Sequence, residues 1–284
     1  MRFVTLQRAG YHEPGVWWND EIIGLRHAGF TSIHQILGGG ADAIDRVERW
    51  IYNPPGGERF EADSVTLLSP VPHPPKLICI GLNYRDHAAE GKNPIPEVPT
   101  IFSKFQSAIT GHRHPIVIPK NSTKPDYEAE FAVVIGKGGR HIAEADWREH
   151  VFGYTITNDV SARDFQSATS QWMIGKTFDT FAPIGPAIVT ADEIEDPHNL
   201  RITLTLNGEV MQDSNTNNLI FGLPRLISYL SSVFTLETGD IIATGTPAGV
   251  GFARKPPRWL RPGDECRIQI QGLGELVNPV VAET

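Results

Sequence analysis

Cysteine is scarce in this sequence, with two residues among 284. Cys79 and Cys266 lie far apart, each inside an apolar, strand-like run. Two such thiols form neither a disulfide framework nor a zinc knuckle. We therefore expect two buried, unreactive thiols in a reducing compartment.

Positive charge is also in short supply. The sequence has 25 lysines and arginines against 33 aspartates and glutamates, which gives a formal net charge of −8. Nucleic-acid binding requires Lys and Arg to neutralise phosphates, and the sequence contains no basic run. We therefore expect no nucleic-acid partner.

Long apolar runs are missing as well. No run approaches the roughly 18 residues that a membrane helix requires. The N-terminal stretch, MRFVTLQRAG, lacks the continuous apolar segment of a secretory signal peptide. We expect a protein with no membrane partner that works in the cytoplasm.

Glycine and proline, by contrast, are abundant, with 27 and 22 residues. Turn residues separate short strand-like runs such as FAVVIGKG, VFGYTITND and LRITLTLNGEVMQ. Helix signals are few. The clearest are residues 40–53, where Ile44, Val47 and Ile51 share one face, and residues 223–233, LPRLISYLSSV. The pattern predicts a mainly β protein of the α+β class.

A proline-rich stretch divides the sequence. The segment LLSPVPHPPKL has four prolines within residues 70–75, which makes it stiff and extended. We place a domain boundary there. The prediction is a small N-terminal α/β domain over residues 1–70 and a larger domain over residues 71–284.

Two glutamates stand close together where an apolar run begins, in PDYEAEF. On an extended chain, residues i and i+2 project from the same face, so Glu128 and Glu130 point together. Such a pair shares a proton or a cation, and Asp159 in TITND is a candidate third ligand. Three carboxylates suit Mg²⁺, Mn²⁺ or Ca²⁺ better than zinc. A lone E-x-E is more often a solvated strand edge, and we interpret Asp126 as a turn cap or supporting group.

Four longer motifs follow one another along the chain: DYEAEFAVVIGKGGRHI, GYTITNDVSARDFQ, GKTFDTFAPIGPAIV and GDIIATGTPAGVG. Together with IGLNYRDHAAE and IFSKF upstream, they resemble the signature segments of the fumarylacetoacetate hydrolase family. The resemblance covers about residues 70–282. The segments GKTFDTF, SNTNNLIFG and RKPPRWLRPGDE are most similar to its domain-containing protein 2 branch.

The resemblance implies a fumarylacetoacetate hydrolase-like catalytic domain, a mixed β-sandwich or β-roll with few helices. It implies a divalent metal, usually Mg²⁺, and the carboxylate ligands leave Mn²⁺ and Ca²⁺ as alternatives. By motif match the metal ligands are Glu128, Glu130 and Asp159, the same three carboxylates. Members act on small 2-keto or β-diketo acids and are commonly homodimers, so we expect both properties here.

A histidine and a glutamate stand three residues apart in YRDHAAE. If this segment is helical, His87 and Glu90 share a face, and the carboxylate can orient the imidazole. Taken alone, such a pair is more often a surface contact. The resemblance implies that it is a catalytic dyad on a mobile lid.

The resemblance also assigns four residues to the substrate. It places Lys176 beside the metal, where its charge would bind a carboxylate or stabilise an enolate oxygen. Arg163, Gln166 and Thr246 are implied to bind substrate. From the residues alone, Lys176 reads as a surface lysine, and Arg163 as one half of an ion pair with Asp164 or another acid.

These residues together predict a Mg²⁺-dependent hydrolase that cleaves a carbon–carbon bond in an acylpyruvate, releasing pyruvate and a carboxylic acid. The alternatives are an oxaloacetate decarboxylase and a 2-keto acid tautomerase or isomerase that use the same metal–enolate site. A further alternative is a non-catalytic protein whose metal only stabilises the fold.

Overall fold

The computed structural model describes residues 1–52 and 58–284. Strands dominate it: β1 (Arg2–Arg8), β2 (Tyr11–Trp18), β3 (Glu21–Gly24), β4 (Arg59–Glu61), β5 (Leu77–Gly81), β6 (Thr100–Ser103), β7 (Ile109–Thr110), β8 (Ile116–Ile118), β9 (Pro125–Asp126), β10 (Ala129–Ile135), β11 (Val151–Asn158), β12 (Ser161–Ala162), β13 (Ala182–Thr190), β14 (Arg201–Leu206), β15 (Glu209–Asn215), β16 (Ile241–Ala243), β17 (Glu265–Ile270) and β18 (Gly274–Ala282).

The helices are short apart from two: α1 (Ile33–Leu37), α2 (Gly40–Tyr52), α3 (Arg85–Glu90), α4 (Arg163–Gln166), α5 (Met173–Lys176) and α6 (Leu223–Val233). The predicted helix over residues 223–233 is confirmed, with a proline in its first turn. The predicted apolar face of α2 is also confirmed, since Val47 and Ile51 are buried and Ile44 packs at their edge. The last residue of that prediction, Asn53, lies outside the described residues.

The larger sheet runs in the order β4-β3-β2-β1-β13-β11-β10-β16-β5-β6, with β7 beside β13. Strand β1 pairs antiparallel with β13, so that Arg2 lies opposite Val189. The N-terminal strands therefore extend the sheet that the rest of the chain builds. The domain boundary near residue 70 stays a prediction, and strands from both sides of it share one sheet.

A second sheet has the order β15-β14-β17-β18-β8. Its hairpin between β14 and β15 turns at Asn207 and Gly208, both with positive φ, as the sequence Asn-Gly favours. Strand β10 is buried throughout and lies between two cores. Phe131 and Val133 pack in one core, whereas Ala132 and Val134 pack in the other, because successive strand residues point to opposite faces.

This architecture confirms the predicted fold class, a mixed, sheet-dominated protein with few helices. Cys79 and Cys266 are free and buried, also as predicted. Among the described helices, none is both long enough and apolar enough to cross a membrane.

Candidate metal centre and active site

Three carboxylates meet where two central strands of the large sheet adjoin. Strands β10 and β11 are antiparallel, with Ala129 opposite Asn158, so the start of one meets the end of the other. Glu128 and Glu130 flank Ala129, and Asp159 follows Asn158. One ligand oxygen from each of Glu128, Glu130 and Asp159 lies within 4.8 Å of the others, and all three residues are buried.

Three cations surround these carboxylates. The Lys176 ammonium on α5 lies 2.8 Å from Glu128 Oε2 and 2.7 Å from Asp159 Oδ2. The Arg163 guanidinium on α4 lies 2.6 Å from the other oxygen of Glu128. Lys104 lies 2.6 Å from Asp159 Oδ1 and is 4% exposed. Sequence reasoning did not identify Lys104, although the motif IFSKF contains this one charged residue in an apolar setting.

The two glutamates differ in their electrostatic surroundings. Burial opposes ionisation of Glu128, but the Lys176 and Arg163 charges outweigh it and hold its pKa well below the usual value. Burial, reinforced by repulsion from Asp159 and Glu128, raises the pKa of Glu130 well above its usual value. Glu130 accepts one hydrogen bond, from the Gly245 N–H at 2.9 Å. Negative charge at Glu130 is therefore the least compensated in the cluster.

The donor set fits a hard divalent cation. All three candidate ligands are carboxylates, without the nitrogen or sulfur donors that zinc prefers, and one oxygen of each lies within 4.8 Å of the others. A dication there would relieve the repulsion that raises the pKa of Glu130. The three residues predicted as ligands are thus brought together in an arrangement that can bind a metal.

Arg163 is held by a fourth buried carboxylate. Asp126 Oδ2 accepts a hydrogen bond from Arg163 Nε at 2.8 Å, and Oδ1 accepts one from the Gly251 N–H at 2.7 Å. Asp126 therefore supports a charged neighbour of the cluster, in line with the supporting role predicted for it. Asp164, the alternative partner of Arg163, instead accepts hydrogen bonds from Ser122 and Thr123.

The His–Glu pair lies on α3. The imidazole Nδ1 of His87 is 3.3 Å from Glu90 Oε2, which confirms the helical i, i+3 contact. Glu90 Oε1 accepts a hydrogen bond from the Gly249 N–H at 2.9 Å. The edge of the imidazole meets the Phe252 ring, with 6.4 Å between the ring centroids.

A cavity of about 430 Å³ joins these groups. The predicted site residues that line it are His87, Glu128, Glu130, Asp159, Arg163, Gln166, Lys176 and Thr246. Glu90 is not among the lining residues and contacts the cavity through His87. Aromatic side chains, Phe102, Trp172, Phe252 and Trp259, form much of the remaining wall.

The polar residues of the cavity wall are held by further hydrogen bonds. Gln166 Oε1 accepts from Arg163 Nη1 at 2.9 Å, and Thr246 Oγ1 accepts from Gln212 Nε2 at 2.8 Å. Gln212 is 1% exposed and accepts the N–H of Ala129, between the two glutamates. No motif or spacing marks Gln212, because its contacts depend on how the two sheets pack.

Residues 76–281 match the family model of the fumarylacetoacetate (FAA) hydrolase C-terminal domain. The chain belongs to the fumarylacetoacetate hydrolase family. Among its relatives is the Bos taurus protein named oxaloacetate tautomerase FAHD2A, mitochondrial. It is 52% identical over 219 residues, which is 76% of this chain and 70% of the relative. The Dictyostelium discoideum fumarylacetoacetate hydrolase domain-containing protein 2 homolog is 47% identical over 254 residues, 84% of this chain and 83% of that protein.

Solved structures agree with this assignment. A putative HpcE protein from Mycobacterium smegmatis superposes with a TM-score of 0.88 at 37% identity, with both chains fully covered. Maleylpyruvate hydrolase from Sphingobium sp. SYK-6, in complex with manganese(II) and pyruvate, has a TM-score of 0.85 at 32% identity, also with full coverage of both chains. The family and fold predicted from the motifs are confirmed.

Two predictions are wrong. Relatives at about 52% identity are named oxaloacetate tautomerases, which contradicts the predicted carbon–carbon bond hydrolase. The motifs did not separate these reactions, because acylpyruvate hydrolysis and oxaloacetate tautomerisation both pass through an enolate. The same relatives are named mitochondrial, which contradicts the cytoplasmic prediction. That prediction relied on a missing apolar signal, which does not bear on mitochondrial targeting segments.

Proposed function

We propose that this chain catalyses the keto–enol tautomerisation of oxaloacetate with a bound divalent cation, and that this cation is Mg²⁺. The observation that supports this most strongly is the convergence of Glu128, Glu130 and Asp159 beside Lys176, in a chain 52% identical to named oxaloacetate tautomerases. The manganese and pyruvate in the maleylpyruvate hydrolase structure support a site for a divalent metal and a 2-oxo acid.

Glu128, Glu130 and Asp159 would hold the cation. When bound, it supplies a Lewis acid that polarises a 2-keto oxygen and makes the neighbouring C3–H more acidic. The Lys176 ammonium stabilises the negative charge that develops on the 2-oxygen. Arg163, Gln166 and Thr246 bind the substrate carboxylates.

His87 moves the proton. In the direction from keto to enol, the imidazole Nε2 accepts the C3 proton, and Glu90 stabilises the resulting imidazolium through Nδ1. The imidazolium then returns that proton to the 2-oxygen, which gives the enol. No water is consumed and no carbon–carbon bond breaks, so the dyad needs no hydrolytic role.

The test starts from enol oxaloacetate and follows the loss of its ultraviolet absorbance with and without Mg²⁺. We expect the enzyme to accelerate the conversion, with keto oxaloacetate as the product and no pyruvate. Pyruvate release at the rate of enol loss would support the decarboxylase instead. A folded, Mg²⁺-loaded protein that leaves the uncatalysed rate unchanged would rule out the tautomerase and support a structural role for the metal.

A further inference from the structure

The helix that carries the His–Glu pair is too short to fix its own position. Helix α3 has six residues, and isolated helices of that length are unstable in water. The position of His87 relative to the metal ligands must therefore come from contacts outside the helix. Those contacts involve a polar segment, SNTNNLIF, over residues 214–221.

The first contact is at the N-terminal end of α3. Asp86 Oδ1 accepts the His87 N–H at 2.8 Å, and Oδ2 accepts the Ser214 hydroxyl at 2.5 Å. Asn218 Nδ2 donates to the same Asp86 oxygen at 3.4 Å and to Ser214 Oγ at 3.0 Å. The carboxylate therefore links the His87 backbone directly to strand β15. We call this set, Asp86 with Ser214 and Asn218, the clasp.

The second contact is at the C-terminal end of α3. Glu90 accepts the Gly249 N–H, and Gly249 has a φ of +101°. A Cβ at Gly249 would lie 2.1 Å from the Met211 carbonyl oxygen, so only glycine fits there. Met211 lies on the same strand as Ser214. The N-terminal end of the helix thus contacts strand β15 directly, and the C-terminal end contacts it through Gly249.

Strand β15 also reaches the metal cluster. Gln212 accepts the Ala129 N–H at 2.9 Å and donates to Thr246, and on an extended strand it shares a face with Ser214. One strand therefore links the backbone between the two glutamates with the backbone of His87. A shift at the Gln212 contact or at the Ser214 contact would therefore change the distance from the His87 imidazole to the carboxylate cluster.

We propose that Asp86 is a positioning residue for the reaction, and that the clasp fixes the position of the His87 imidazole. The proposal rests on the proposed function of His87 as the group that moves the proton. Asp86 is not among the residues that line the cavity. It acts through the backbone of His87, and the polar segment SNTNNLIF supplies its partners.

The experiment compares Asp86→Ala, Ser214→Ala and Asp86→Asn with the wild type in the tautomerase assay. Moving a reacting group by about 1 Å can lower the rate about 100-fold. We therefore expect both alanine variants to have a kcat about 10- to 100-fold below that of the wild type. KM and the affinity for Mn²⁺ should stay within about twofold. Asp86→Asn should recover most of the rate, because its amide oxygen can accept from His87 and its NH₂ can donate to Ser214.

Asp196→Ala is the matched control, because Asp196 is an exposed carboxylate that accepts the His198 N–H away from the site. It should retain the wild-type kcat. If Asp86→Ala and Ser214→Ala keep the wild-type kcat, Asp86 is not a positioning residue, and the proposed tautomerase function is unaffected. Equal losses in kcat, substrate affinity and Mn²⁺ affinity would overturn it too, since they indicate general disruption. A wild-type protein without tautomerase activity would instead rule out the proposed function.

Discussion

At the scale of single residues, the Lys176 ammonium lies between Glu128 and Asp159, within 2.8 Å of one oxygen of each. Burial disfavours its charge, but Asp159 and Glu128 outweigh this and raise the pKa of Lys176. The lysine therefore stays protonated and offers a positive charge beside the ligands. It also competes with a metal for the same carboxylates.

Lys176→Met should separate these two effects. We expect Mn²⁺ to bind at least as tightly as in the wild type, because the competing ammonium is gone. Tautomerase activity should fall about 100-fold or more, the usual cost of losing a group that stabilises developing charge. Mn²⁺ titration and the enol assay measure the two quantities, with the exposed Lys137→Met as the control. A collapse of Mn²⁺ affinity would show that Lys176 instead holds the ligands in place.

The sequence identified the three carboxylates that the structure brings together, because the pattern that marks two of them is local. The i, i+2 spacing of Glu128 and Glu130 fixes their common face, Asp159 was a candidate from its place after a strand-like run, and the motif match gave the same three residues. Lys104 and Gln212 were missed because each meets the cluster through strands distant in sequence. The reaction type was predicted wrongly for a chemical reason, since acylpyruvate hydrolysis and keto–enol tautomerisation both pass through an enolate and so call for similar side chains.

At the scale of elements, strand β1 joins the large sheet at β13, and their side chains share one core. Phe3 is fully buried in the same cluster as Ile184 and Ile188 of β13. The proline-rich stretch over residues 70–75 suggested two domains, but a local composition signal cannot reveal which strands pair later in the chain. Whether residues 1–70 unfold separately is therefore a question for experiment.

Phe3→Ala addresses that question. Removing a buried phenylalanine should reduce the free energy of unfolding by about 3–5 kcal/mol. Because the core spans the predicted boundary, we expect one unfolding transition in denaturant, shifted as a whole. The exposed Val210→Ala should leave the midpoint unchanged. A second, earlier transition confined to the variant would indicate that the N-terminal segment is an independent domain.

The loop between β7 and β8 contains a titratable group that should make stability depend on pH. Burial, reinforced by the charge of Arg113, lowers the pKa of His112 to about 4. Its Nδ1 accepts the Val277 N–H at 3.2 Å, which requires the neutral imidazole. In the unfolded chain the imidazole of His112 has a pKa near 6.5, so it binds a proton at a higher pH than in the folded protein. The free energy of unfolding therefore falls as the pH drops from about 6.5 to about 4.

His112→Gln should weaken that pH dependence. Between pH 7.5 and pH 4.5, we expect the free energy of unfolding to fall by up to about 3 kcal/mol more in the wild type than in the variant, as measured by denaturant unfolding. His27→Gln, at an exposed position, is the control and should follow the wild type. Identical pH dependence in His112→Gln and the wild type would contradict the assignment.

At the scale of the whole molecule, strand β6 is an edge of the large sheet, and apolar side chains close to it in sequence are exposed. Ile95 is 54% exposed, Val98 52% and Phe105 53%. Exposed apolar side chains at a sheet edge favour the binding of another chain. We propose that this surface joins two copies in the homodimer expected from the family resemblance.

Light scattering should therefore give twice the mass of one chain for the wild type. Val98→Glu places a charge in the proposed interface and should shift the population toward monomers. Val210→Glu, equally exposed but on the other sheet, should remain dimeric. A dimeric Val98→Glu protein would place the interface elsewhere, and a monomeric wild type would reject the dimer.

The proposed function requires that one divalent cation binds between Glu128, Glu130 and Asp159 and holds a 2-oxo acid there. The most direct measurement is anomalous scattering at the manganese edge from crystals grown with Mn²⁺ and oxalate, a mimic of the enolate. We predict one strong peak, bounded by the three carboxylates and in contact with two oxalate oxygens. Crystals of the same protein with no peak among these carboxylates, or with Mn²⁺ bound only elsewhere, would contradict the claim.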